Sequence, residues 1–174
     1  MRASITTAAV LLAATFAAAQ SSVTKQTVPG ITNFSKVETT VACAGATTPA
    51  ALVDVKKMGY NSVINLRLAS EAGAQIEEEA AAAKAAGINY IHLPFNAQSP
   101  DPMLVDNFLK AVNDRANQPA FIHCASANRA AALWMVKRIV IDKWDVAQAT
   151  TEAEALGLTN PTLKAFAIEQ AKKH

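Results

Sequence analysis

Four residues separate a cysteine from an arginine in His123-Cys124-Ala125-Ser126-Ala127-Asn128-Arg129. A thiolate is a strong nucleophile, and the planar fork of a guanidinium matches two phosphate oxygens in a way that lysine does not copy. The run AFIH before Cys124 reads as a buried strand, and a helix begins around Arg129. Between them lie only small or short side chains, so backbone N–H groups at the positive end of the helix can turn inward and form an anion cradle. A cysteine at the floor of such a cradle has its thiolate stabilised. Cys124 and Arg129 are therefore the candidate catalytic residues, and Ala125, Ser126, Ala127, Asn128 and Arg129 the candidate substrate-binding loop. A cysteine after a strand is more simply a small buried hydrophobe. It is the conjunction of strand, cysteine, small loop, arginine and helix that points to chemistry.

The elements that must hold this loop are legible around it. Thr48-Pro49 before and Gly59 after predict a short helix over 49–58. SVINL (62–66) reads as a buried strand, and the acid-rich then alanine-rich stretch 75–86, closed by Gly87, as a helix. NYIHLPF (89–95) is a second strand. Val105, Phe108, Leu109 and Val112 fall on one face of a helix opened by Ser99-Pro100-Asp101-Pro102. Further helices are expected over 129–141, 145–156 and 161–172, with Trp134 and Trp144 packing. Strands alternating with helices predict an α/β three-layer sandwich on a central, largely parallel sheet of about four to five strands. Residues 20–32 read as a polar linker, and 33–174 as one domain.

Composition removes other chemistries. The 174 residues carry 16 Lys+Arg and 14 Asp+Glu, a net charge of +2 spread along the chain, so no basic stripe exists to track nucleic acid. The six glycines are isolated, which leaves no dinucleotide or Walker-type loop. Two cysteines and three histidines fall in no zinc-like spacing, and neither metal nor cofactor is expected. Arg2, the apolar run 8–19 and its close on Ala17-Ala18-Ala19 fit an export signal cleaved before Gln20. The run is shorter than the roughly 20 residues a membrane span needs. The expected product is periplasmic or secreted, with no membrane span after signal removal.

The loop, together with AGATTPAALVDVKKMGYNSVINLRLASE and GINYIHLPF, resembles the protein-tyrosine and dual-specificity phosphatase superfamily over residues 33–157. The likeness is to its short-loop bacterial branch, the phosphatase-like domains also found joined to beta-lactamase-type hydrolases. It implies a cysteine-phosphatase fold, Cys124 as nucleophile, Arg129 as phosphate clamp, and His123 as the residue that supports the thiolate. It also implies a general acid after an earlier strand. Asp101 is the nearest candidate, an ordinary helix cap being its plainer reading; Asp106 is the weaker one. The substrate implied is a phosphate monoester, phosphoproteins included. Arg67 and Glu71 match the branch's Asn-Leu-Arg…Glu run and either brace the loop or form a surface ion pair; His92 reads as capping. Cys43 is placed at the sheet end where the Cys124 loop emerges, as a disulfide partner in an oxidising compartment or a buried spacer.

Three features depart from the superfamily pattern. Four residues separate Cys124 from Arg129 where five are usual, Ala127 stands in place of Gly, and Ala130 replaces the Ser or Thr after the arginine. The four-residue spacing also fits a rhodanese-like sulfurtransferase, although no matching upstream pattern is present. The alanines fit a catalytically weak phosphate-binding module.

Overall fold

The computed structural model describes residues 23–174. The export signal read over 1–19, and the first residues of the segment read as a linker, lie outside the described residues. Six strands form one sheet: β1 (Val23–Lys25), β2 (Ser35–Val37), β3 (Val41–Ala44), β4 (Ser62–Asn65), β5 (Asn89–His92) and β6 (Ala120–His123), in the order β1-β2-β3-β6-β4-β5. β3, β6, β4 and β5 run parallel, and β1 and β2 extend the edge antiparallel. The sheet exceeds the expected four to five strands because part of the presumed linker belongs to it. Two three-residue strands are too short to show a periodic signature, but Ile31 and Phe34 between them are buried.

Helices lie on both faces. A 3-10 turn (Pro49–Ala51), α1 (Leu52–Lys57) and α2 (Ile76–Ala86) cover one. α3 (Leu104–Asn113), α4 (Asn128–Val140), α5 (Val146–Ala155) and α6 (Pro161–Ala171) cover the other. Local chemistry sets their ends. Gly87 turns α2 off in a left-handed conformation at φ 67°. Asp145 and Asn160 cap α5 and α6 by accepting N–H groups of the first turn. Arg138 anchors α4 to its neighbours, ion-paired with Glu152, Asp142 and Glu38 and stacked on Trp144.

Strand alternation sorts the core into two. Phe34, Ala42, Ala44, Val63 and Phe121 pack under α1 and α2, while Val41, Cys43, Ile64, Ile122 and Cys124 pack under α3 to α6. Along β6 this sends His123 toward α2 and leaves Cys124, one residue on, facing α4. No helix among the described residues is long and apolar enough to cross a membrane.

Candidate active site

Cys124 follows β6 and is fully buried, its N–H donating to the Ala44 carbonyl at 3.2 Å. The loop then folds back on the segment after β3. Gly45 bridges to Ser126, and the Ala46 N–H reaches the Ala125 carbonyl at 3.0 Å. Gly45 is required by this approach, since a Cβ there would sit 2.4 Å from Thr32 Oγ1 and 3.1 Å from the Ala125 carbonyl. Ala127 reverses the chain into α4 at φ 75°. That left-handed conformation costs an alanine about 1 kcal/mol and is held by complete burial. The first helical bond of α4 runs from the Ala131 N–H to the Ala127 carbonyl, so the N–H groups of Asn128, Arg129 and Ala130 precede the helix's own ladder.

Arg129 is fixed from three directions. Nη1 donates to Glu71 Oε1 (2.6 Å), the Leu66 carbonyl (3.1 Å) and the Phe95 carbonyl (2.9 Å), and Nη2 donates to Glu71 Oε2 (2.8 Å). Five N–H groups are available. These contacts hold the guanidinium beside Cys124, whose interaction with it favours the charged arginine. Burial pulls the Arg129 pKa down, but the interactions with Glu71 and Cys124 together outweigh it and the net direction is up. Burial likewise raises the Glu71 carboxyl; hydrogen bonds from Arg129, the Leu68 N–H and Arg67 overcome it and bring the pKa down to about 2. Arg67 supports Glu71 at 3.3 Å and is pinned by the Ala72 and Gly73 carbonyls. Glu71 and Arg67 therefore brace the loop. A fixed cation beside a buried sulfur at a helix N-terminus is an arrangement for binding an oxyanion against a thiolate.

The other expected residues divide. Ser126, Asn128 and Arg129 line a hollow of about 350 Å³ with Glu71, Asn96 and Gln98. The Asn128 side chain is committed within the protein. Its Oδ1 accepts the Thr159 and Asn160 N–H groups, which ties the loop to the start of α6, and its Nδ2 donates to Ser126 Oγ at 3.3 Å. Asp101 is exposed and caps the Met103 N–H at 2.7 Å. It lines a separate hollow with Val105, Phe166 and Glu169, and the two hollows share Ala97. Asp106 pairs with His174, and His92 Nε2 lies 2.8 Å from the Arg67 carbonyl as a capping contact.

His123 is wholly buried on the α2 face. Its Nε2 lies 2.6 Å from Oε1 of Glu79, itself fully buried, and its ring stacks on Phe121. Glu79 was not singled out by the sequence, where it is one of three acids in the first turn of an alanine-rich helix. Its helical spacing to Ala83, on the buried face, is the only trace.

Cys43 and Cys124 are both free and buried. Cys43 is in register with Ile122, two positions before Cys124. Parallel-ladder spacing then puts the two cysteine Cα atoms about 8 Å apart, beyond the roughly 7 Å a disulfide spans. A bridge would require the backbone to move, and Cys43 is a buried spacer whose thiol is pushed up by burial and by Cys124. Among the described residues no cluster of His, Cys, Asp and Glu is arranged to hold a metal.

Known structures share this architecture. A putative phosphatase from Shewanella putrefaciens CN-32 superposes with a TM-score of 0.69 at 23% identity, covering 83% of this chain and 92% of that one. TpbA of P. aeruginosa gives 0.66 at 17%, covering 92% and 93%, and the catalytic core of the PP-IP phosphatase SIW14 from S. cerevisiae gives 0.67 at 17%, covering 84% and 93%. No curated protein matches the sequence. The family model of the beta-lactamase hydrolase-like protein, phosphatase-like domain, matches residues 33–141, from the strand before Cys43 through the end of α4. With the cysteine-phosphatase fold and the Cys124–Arg129 cradle lying within that match, the chain belongs to the family of beta-lactamase hydrolase-like phosphatase-like domains.

Proposed function

We propose that this protein is a cysteine-dependent phosphatase that hydrolyses phosphate monoesters through a phosphocysteine. The observation that carries the reading is the Arg129 guanidinium, clamped by Glu71, Leu66 and Phe95 and interacting with Cys124. Cys124 Sγ attacks phosphorus, the bond to the leaving oxygen breaks, and Asp101 supplies the proton that oxygen takes up. Water then cleaves the S–P bond, releasing phosphate and regenerating the thiolate. Arg129 and the loop N–H groups hold the equatorial oxygens through both steps. A phosphotyrosine-bound structure of TpbA supports tyrosine phosphate as one ester to try. Export to the periplasm or medium is part of the proposal and rests on Arg2 and the run ending Ala17-Ala18-Ala19.

The test assays the protein and Cys124→Ser on an aryl phosphate and on thiosulfate with cyanide. Aryl phosphate hydrolysis abolished by the substitution is the expected result. Thiocyanate formation without phosphate release would establish sulfur transfer instead, and neither activity, with phosphate still bound, a binding module. Intact mass of the exported protein checks the cleavage at Gln20.

A further inference from the structure

The most unusual group outside the cradle is the pair directly behind the nucleophile. His123 and Glu79 each have no exposed side-chain surface, and Nε2 and Oε1 approach to 2.6 Å. Yet His123 Nε2, His123 Nδ1 and Glu79 Oε1 make no aligned hydrogen bond. Buried polar atoms without aligned partners are rare and costly, so their retention one residue from the nucleophile calls for a reason. The contact is an ion pair when the ring carries both protons, and a carboxylate this close to an imidazole favours that form. The carboxylate is held on its other side, where Oε2 accepts from Asn65 Nδ2 at 2.9 Å, and Asn65 Nδ2 also reaches the Tyr90 hydroxyl. Asn65 is opposite His123 in the β4–β6 register, which is why both face Glu79 on α2.

The same asparagine leads to the other end of the loop. Asn65 Oδ1 accepts the Arg67 N–H at 2.8 Å, Arg67 braces Glu71, and Glu71 clamps Arg129. The residue before the nucleophile and the residue that grips phosphate thus hang on one chain of polar contacts through β4. We infer that Glu79 is a positioning residue of the active site: its carboxylate holds His123 in the charged form beneath the Cys124 peptide, and that positive charge favours the thiolate. The inference rests on Cys124 being the nucleophile. The titratable groups facing this pair and the sulfur are Tyr90 from β5, Cys43 from β3, Arg129 from α4 and, through Arg129, Glu71. Burial raises Cys43 and Tyr90, Tyr90 to about 12, so neither titrates near neutral pH.

The experiment measures thiolate formation without substrate, by ultraviolet thiolate absorbance and by the pH dependence of iodoacetamide alkylation, with Cys124→Ser as the blank. Glu79→Gln keeps the shape and the Asn65 contact but removes the charge. Its thiolate midpoint is expected to rise by about one pH unit, a ten-fold loss of thiolate on the acidic side. The acidic limb of kcat/KM should move with it. Glu79→Asp keeps the charge at a longer reach and should give a smaller rise in the same direction; it takes the place of Glu79→Gln if that variant does not fold. Tyr90→Phe, which trims the same cluster without touching the ion pair, should leave the midpoint in place. In a His123→Asn background, Glu79→Gln should add nothing. An unchanged midpoint in a folded Glu79→Gln protein would overturn the inference, and so would a lower one, which is what a plain repulsive carboxylate near the sulfur would give. Because the midpoint is read without phosphate, a protein that shifts as expected but hydrolyses no phosphate ester would refute the proposed function and leave this inference standing.

Discussion

Glu71 fixes the orientation of the Arg129 guanidinium by binding both of its Nη atoms, and the same carboxylate makes this bracing sensitive to acid. Its pKa of about 2 lies below the ordinary 4.5 because the Arg129, Leu68 and Arg67 contacts outweigh burial. A carboxyl depressed in the folded state adds stability above its unfolded value, and loses it as pH falls through the interval from about 4.5 to about 2. Glu71→Gln should therefore be less stable than the parent near neutrality, and the gap in urea midpoint should close across that interval. The same substitution should lower kcat/KM by at least about ten-fold, since a loosened guanidinium no longer presents one fixed edge. Ala130 carries a second prediction. It is buried at the third position of α4, where the resembling superfamily has a hydroxyl that assists departure of the thiolate from phosphorus. Without that donor, product alcohol should appear in a burst of about one equivalent before a slow steady rate. Ala130→Ser should speed the steady phase about ten-fold, the worth of one hydrogen bond to a charged atom. A linear time course unaffected by the substitution would place the slow step at attack on phosphorus.

Two connecting segments control the cradle at the level of elements. The turn after β3 lies against the nucleophile loop, with Gly45 at the closest point, so Gly45→Ala must push on Thr32 and on the Ala125 carbonyl. Thr32 can rotate away, but the carbonyl is backbone. We expect a loss of kcat of about 100-fold, the scale of a displacement near 1 Å, with a smaller effect on thermal stability; unchanged kcat would show that the loop absorbs the push. The segment between β5 and α3 carries Asp101 at the edge of a neighbouring hollow that meets the Arg129 hollow at Ala97. If Asp101 delivers the proton, Asp101→Asn should cost far more on phenyl phosphate than on a highly activated aryl ester, because a good leaving group needs no proton. Equal losses, or none, would leave Asp101 as the cap of Met103 alone. Most elements were legible because their signals are local: the apolar stripe of α3, Gly87 after α2, Pro161 after Asn160. The Cys124 loop was legible because its residue types and spacing are themselves the chemistry. What the sequence hid is non-local. Glu79 becomes a partner of His123 only when α2 is laid across β4 and β6, and the Asn128 side-chain oxygen meets the Thr159 and Asn160 N–H groups only when α6 is brought beside the loop.

On the scale of the whole molecule, the segment that composition marks as a linker is part of the support for the active site. Thr32 exchanges backbone hydrogen bonds with Gly45 and Ala46, the Thr48 N–H reaches the Gly30 carbonyl, and Asn33 Nδ2 contacts the Ser126 carbonyl. Ala46 in turn holds the Ala125 carbonyl. The order of contact runs from residues 30–33 to 45–48 to the nucleophile loop, so the N-terminal edge buttresses the cradle from behind. Ile31 and Phe34 fasten that edge to the core under α1, Phe34 stacking on Phe121, which also stacks on the His123 ring. Burying two such side chains is worth about 3–6 kcal/mol before chain entropy is counted, a large part of a domain's stability. A chain beginning at Gln20 should keep the full thermal transition and full activity of the parent. One beginning at Phe34 keeps the whole nucleophile loop and α4, yet it loses the Thr32 bonds, Asn33 and the Ile31 contact. It should melt well below the parent and lose activity even at temperatures where circular dichroism shows it folded. Equal activity per folded molecule in the two chains would mean that residues 20–33 only tether the domain.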